Sequence, residues 1–244
     1  CSSDLFLISE WTNVVDAWQI GSEEAYAKVP RLGRKNRMSA GQRAALWPIF
    51  TAVRKALDRM GLATWPAVLG KLTAQYVEKK DKPFSHIVVD ESQDLGVAEL
   101  RFLSAIAPHT GNALFFAGDL GQRVYQQPFS WRALGIDVRG RAQTLKVNYR
   151  TSHQIRTTAD LLLPKSVRDV DGIEEHRDQT VSAFNGPPPL ISKYKMATEE
   201  IAAVAAWIGK ALEDGIRPEE IGIFVRDYDQ LDRARGAASA AKCD

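Results

Sequence analysis

His86-Ile-Val-Val-Asp90-Glu91-Ser92-Gln93-Asp94 is the stretch on which the fold turns. Its first half is a short β-branched run without polar alternation, the mark of a strand buried on both faces, and it ends abruptly in acidic residues. Residues 98–107 then read as a helix. Ala113-Leu-Phe-Phe-Ala117 repeats the buried-strand pattern and ends at Gly118-Asp119. Residues 144–147 predict a third strand, closed by Asn148-Tyr149-Arg150, and residues 152–163 a helix with Pro164 just beyond it. After the stiff turn Gly186-Pro-Pro-Pro189 the pattern predicts a strand over 190–194, a helix over 198–212 and a strand over 221–225. Strands alternating with helices imply an α/β fold with a parallel sheet covered on both faces. Ligands of such sheets sit outside the carboxyl ends of the strands. The clusters DESQD, GDLGQ and NYR all fall there.

Upstream, residues 1–82 read as helical. Leu46, Ile49, Phe50, Val53 and Leu57 share one helical face, as do Trp65, Val68, Leu69, Leu72 and Tyr76. Gly61 is placed to close the first of these helices and Thr64 to cap the second. The 244 residues, 45% hydrophobic and 25% charged, suit an ordinary globular protein. No apolar run reaches the roughly 20 residues that cross a bilayer, so no membrane partner is expected. Cys1 and Cys243 are too few for a metal cluster or a disulfide framework, and a reducing, cytoplasmic location is the expectation.

Net charge is only +2, but its distribution is uneven. Between residues 25 and 57 there is no acid, against Lys28, Arg31, Arg34, Lys35, Arg37, Arg43, Arg54 and Lys55. Residues 138–159 are likewise acid-free and carry Arg139, Arg141, Lys146, Arg150 and Arg156. Such clusters suit a polyphosphate backbone, and equally a solvated basic face.

Each strand-end cluster has a chemical and a plain structural reading. A carboxylate such as Asp90, at a strand end beside a nucleotide, can hold Mg²⁺ through waters, and its neighbour Glu91 can orient or deprotonate an attacking water. The same acids can instead cap the following helix. Gln122 can contact a γ-phosphate or the attacking water, or simply sit in an Asp/Gly turn. Arg150 can stabilise charge on a transferring phosphoryl group, or form a structural ion pair. Tyr149 can stack on a base. Tyr125, Phe129, Trp131 and Arg132 interleave aromatic and basic character, as a base-stacking platform does; buried core is the alternative for the two larger rings.

In order and strand context these clusters resemble the motifs of UvrD/Rep-type superfamily 1 DNA helicases. Asp90-Glu91-Ser92-Gln93-Asp94 is similar to the family's DExQD, Gly118 to Arg132 to its GDxxQxIYxWRG, and Leu145 to Ser152 to its LxxNYRS. The resemblance implies a RecA-like parallel sheet of the P-loop NTPase type with a helical N-terminal insertion. It divides the chain into an insertion (1–82), the remainder of the first RecA-like domain (83–147) and the start of the second (148–244). It implies ATP and Mg²⁺ as cofactors and single-stranded DNA as partner, with 3′-to-5′ translocation and a place in DNA repair. It assigns Mg²⁺ to Asp90 and Glu91, water activation to Glu91, γ-phosphate sensing to Gln122, the finger role to Arg150 and adenine stacking to Tyr149. DNA contact falls to Trp131, Tyr125, Phe129 and Arg132.

Two departures stand out. Gln126-Gln-Pro-Phe-Ser130 intervenes where the family runs almost directly from tyrosine to tryptophan, so Phe129 competes for the stacking role. No G-x-x-x-x-G-K-[ST] occurs anywhere, and the late motifs are missing. The chain also begins at Cys1. These features predict an internal piece of an ATP-dependent helicase, inactive by itself for want of a phosphate loop. Alternative readings are a non-catalytic nucleic-acid-binding module on a degenerate helicase fold, and the motor part of a helicase–nuclease.

Overall fold

The computed structural model describes residues 2–29, 38–119, 122, 128–138, 140–162, 164, 166–172, 174–176 and 179–243. Compactness divides the chain into two units, residues 1–187 and 188–244.

The first unit begins with helices, because apolar residues recur there at helical spacing. α1 (Ser2–Glu10) runs into a π-helical turn (Trp11–Asp16), followed by α2 (Glu23–Lys28), α3 (Ala40–Arg59) and α4 (Trp65–Tyr76). Their boundaries follow from local chemistry. Ser39 opens α3 with a capping box: its hydroxyl accepts from Gln42 N at 3.2 Å and its own N–H donates to Gln42 Oε1 at 2.9 Å. Gly61 follows the last residues of α3 at φ 65°, the left-handed conformation that glycine adopts without steric cost. Thr64 caps α4 as expected, accepting from Ala67 N.

These helices bury Val14, Val15, Ile20, Tyr26, Val29 and Phe50. Tyr26 lies edge-on to Phe50, and its hydroxyl donates to the fully buried Glu10 carboxylate at 2.8 Å. A second cluster joins Val97, Leu100, Phe129, Trp131, Leu134 and Ile136. Trp18 packs against both clusters, and Arg101 donates to its carbonyl at 2.9 Å. The helical region and the segment after Pro83 are therefore packed as one body, whatever their origin in sequence.

The rest of the unit mixes strands and helices. β1 (Ile87–Val89) pairs in parallel with β2 (Leu114–Phe116), with α5 (Val97–Ile106) between them in sequence. β3 (Val147–Asn148) is followed by α6 (His153–Asp160), whose N-cap is Ser152. β4 (Ser166–Arg168) and β5 (Glu174–His176) are antiparallel, and β6 (Val181–Ser182) pairs in parallel with β3. The second unit contains α7 (Ala197–Glu213) and α8 (Leu231–Ala240), joined by the Arg233–Glu200 ion pair at 2.8 Å.

The α/β character and the helices agree with the sequence reading; the sheet differs from it in two ways. β3 does not extend the β1–β2 ladder but finds its partner 34 residues downstream, at Val147↔Val181. The strands expected over 190–194 and 221–225 are not strands. Both carry strand-like apolar residues, and Ile221 is extended at φ −102°, ψ 117°, but neither has a ladder partner among the described residues. A strand exists only through its neighbour's hydrogen bonds, and side-chain composition cannot supply one. Leu190, Ile191 and Phe224 are accordingly exposed. Among the described residues no helix is long and apolar enough to cross a membrane.

Candidate functional site

The site forms where β1 and β2 end side by side. Parallel pairing aligns Val89 with Phe116, so DESQD and GDLGQ leave the sheet at the same edge. Backbone bonds continue past the strands: Ala117 N donates to Val89 O at 2.8 Å, and Ser92 N to Ala117 O at 2.9 Å.

Asp90 and Glu91 are exposed at this edge. Asp90 Oδ1 accepts the Glu91 N–H at 2.9 Å. Glu91 adopts a left-handed backbone, φ 50° and ψ 41°, before a single 3₁₀ turn (Ser92–Asp94). For a non-glycine residue that conformation costs on the order of 1–3 kcal/mol and persists only where the surroundings impose it. Neither that turn nor α5 receives a side-chain cap from the acidic run. The Glu91 side chain, at the N-cap of the 3₁₀ turn, makes no capping bond.

Behind them, Ser92 and Gln93 are buried. Gln93 Nε2 donates to Glu91 Oε2 at 2.6 Å, and Gln93 Oε1 accepts the Asp119 N–H at 3.1 Å. Asp119 Oδ2 in turn accepts from Gln122 Nε2 at 2.9 Å. Glu91, Gln93, Asp119 and Gln122 thus form one chain of hydrogen bonds across two strand ends. Gly118 is required beside it, since a Cβ there would lie 2.5 Å from Ser92 Oγ and 2.6 Å from Gln93 Oε1. Sequence reading passed over Gln93 and Asp119. Their signal was present, in a polar residue followed by apolar helix and a glycine exactly one strand away, but it becomes meaningful only once the two strands are paired.

A carboxylate pair with free lone pairs facing solvent suits a Mg²⁺ that keeps most of its waters, the usual arrangement beside substrate phosphates. Among the described residues no group of three or more His, Cys, Asp or Glu side chains is gathered for a metal. The donor set fits a water-rich magnesium ion and not a protein-caged one.

Tyr149 and Arg150 lie at the end of β3, on the separate β3–β6 pair. Asn148 shapes their turn: its Oδ1 accepts from Arg150 N at 2.8 Å and from Thr151 N at 3.0 Å. Both side chains are exposed, Tyr149 at 77%, and among the described residues Arg150 has no carboxylate partner. The ion-pair reading of Arg150 therefore lacks its second member.

The aromatic loop is placed differently from expectation. Tyr125 lies outside the described residues. Phe129 is 1% exposed and Trp131 7%. Their rings meet edge-on at 5.3 Å, and Trp131 packs on Phe116 of β2 at 5.0 Å. Two large rings beside an apolar strand remove more area from water by packing inward than by waiting for a ligand. As a correction, neither ring presents a stacking face, and the inserted stretch before Trp131 contributes Phe129 to the core. Arg132 is exposed, at the start of a 3₁₀ turn (Arg132–Leu134). Asp171 holds that turn, accepting from Ser130 Oγ at 2.6 Å and Arg132 N at 3.3 Å.

Strand-end carboxylates at the close of β1 are thus joined through Gln93 and Asp119 to Gln122, while Arg150 stands at the end of β3 in a separate strand pair. Residues 26–133 match the family model described as the UvrD/REP helicase N-terminal domain. It is 26% identical over 230 residues to proteins named ATP-dependent DNA helicase UvrD2 from Mycobacterium tuberculosis and Mycobacterium bovis, covering 89% of this chain and 32% of theirs. It is also 26% identical over 156 residues to YjcD of Bacillus subtilis, covering 62% of this chain and 20% of that protein. The chain spans about a third or less of the length of these relatives.

Proposed function

We propose that this chain is the part of an ATP-dependent, 3′-to-5′ single-stranded-DNA helicase that carries the water-activating end of the ATP site, on a RecA-like framework. The observation that carries the reading is the joining of DESQD and GDLGQ at one edge of the β1–β2 pair, through Gln93. The names of the UvrD2 relatives agree with it.

In this reading Asp90, with Glu91 beside it, would hold Mg²⁺, which would supply positive charge against the phosphate oxygens. Glu91, whose Oε2 is held by Gln93, accepts the proton of the attacking water on Oε1. Gln122 senses the γ-phosphate, Arg150 stabilises charge on the transferring phosphoryl group, and Tyr149 stacks on the adenine. DNA contact falls to Arg132 and Tyr125, with Phe129 and Trp131 buried in the core cluster beside Leu134. The divisions at 82/83 and 147/148 describe the origin of segments in the motor, not units of packing.

The test is ATP turnover in the protein at its full natural length. Glu91→Gln should lower turnover by roughly 10²–10⁴-fold. Arg150→Ala should lower it by roughly 10³–10⁵-fold, the usual worth of an arginine finger. Both should retain single-strand binding. Unchanged turnover in Glu91→Gln defeats the assignment of water activation to Glu91, whereas no turnover at all in the unmutated full-length protein would leave a nucleic-acid-binding module.

A further inference from the structure

Gln93 is nearly buried, 5% exposed, yet both ends of its amide are used by residues that belong to different motifs. Nε2 donates to Glu91 Oε2 at 2.6 Å, and Oε1 accepts from Asp119 N at 3.1 Å. The orientation of this amide is dictated by chemistry. An ionised carboxylate can only accept and a backbone N–H can only donate, so only one flip satisfies both neighbours. No other side chain replaces it. Glutamate would set carboxylate against carboxylate. Asparagine is one methylene too short to keep both partners, and leucine would remove the acceptor that Gln93 gives the Asp119 N–H.

The bond to Asp119 reaches further. Asp119 Oδ2 accepts from Gln122 Nε2 at 2.9 Å, and Gln122 N donates to Asp119 O at 3.1 Å. A shift of the Gln122 turn therefore moves Asp119, and Gln93 carries that shift to the Glu91 carboxylate. Gly118 lets the two loops approach this closely. Glu91 itself stands on a left-handed backbone that its neighbours must hold in place.

We propose that Gln93 is a positioning residue that fixes the Glu91 carboxylate and couples it, through Asp119, to Gln122, so that the hydrolytic group and the nucleotide-sensing side chain move as one. The proposal rests on the reading of Glu91 and Gln122 given above. Its geometric half stands independently of that reading and is tested independently.

The first arm uses amide hydrogen exchange and side-chain NMR on the 244-residue chain. Gln93→Leu should speed exchange of the Asp119 amide by about tenfold, the worth of one hydrogen bond. Gln93→Glu keeps an acceptor for that amide and should leave it protected. Glu91→Gln should shift the Gln93 side-chain NH₂ resonances. Asp119 exchange that ignores Gln93→Leu, or resonances that ignore Glu91→Gln, overturns the latch. The second arm measures turnover at full natural length. Gln93→Glu, similar in size, should lower kcat by about ten- to a hundredfold, as a misplaced catalytic group does, with KM for ATP held within about twofold. A normal kcat in Gln93→Glu overturns the positioning role even where the latch is present. A latch confirmed by exchange alongside normal turnover in Glu91→Gln defeats instead the hydrolytic reading of the site.

Discussion

Trp131 shows how one residue can satisfy a motif and still do something else. Its indole lies between Phe116 and Phe129, in the cluster that includes Val97, Leu100, Leu134 and Ile136. Truncating so large a buried side chain typically costs about 3–5 kcal/mol. Trp131→Ala is therefore expected to lower the melting temperature strongly, while single-strand affinity, measured well below melting, stays at the wild-type value. An affinity loss of about 1–3 kcal/mol with unchanged melting would restore the stacking role. Arg101 shows another use of burial at this scale: desolvation beneath Trp18 pulls its guanidinium below the ordinary arginine range, yet its partner is a backbone carbonyl and not an acid.

Among the elements, the start of α4 does more than start a helix. Thr64 Oγ1 accepts from Ala67 N and donates to Asp16 Oδ1 at 2.8 Å. Asp16 is buried at the end of the π-helical turn, where it also accepts from Gln19 Nε2 at 3.0 Å. The cap thus ties α4 to a chain segment 48 residues earlier. Thr64→Val should cost about 2–4 kcal/mol, a lost cap plus a buried charged acceptor left short of a donor. Ser39→Ala, at the exposed cap of α3, should cost only about 1 kcal/mol. Denaturant unfolding of the two variants checks the order; equal losses would mean that the Asp16 bond adds nothing. The Thr64 cap was readable as a threonine before an apolar run. The bond to Asp16 was not, because nothing local marks the partner.

At the scale of the whole molecule, the first unit holds every residue proposed for hydrolysis, and the second contains α7, α8, two 3₁₀ turns and extended segments where Leu190, Ile191 and Phe224 are exposed. Nowhere in the sequence is there a glycine-rich loop with its lysine to cradle the β- and γ-phosphates. The 244-residue chain alone is expected to show no measurable ATP hydrolysis, with or without single-stranded DNA. A DNA-stimulated activity that Glu91→Gln abolishes would show that some other part of the chain serves as the phosphate cradle.

Sequence by itself determined the elements whose signals are local. α3, α4, α5, α6 and α7 follow from periodicity and caps, and β1 and β2 from apolar runs ending in polar clusters. It also placed Asp90, Glu91, Gln122, Tyr149 and Arg150 at strand ends, since strand and motif are contiguous there. Tertiary structure alone decided which strands pair, so β3 went to β6 and residues 190–194 and 221–225 found no ladder partner among the described residues. It alone turned Phe129 and Trp131 inward and placed Trp18 against both core clusters. The Gln93–Asp119 bond, 26 residues apart in the chain, likewise exists only because β1 and β2 lie in register. A period or a cap is written in neighbouring residues. A ladder, a buried ring and a bond between two loops depend on the free energy of surfaces that meet only after the chain has folded.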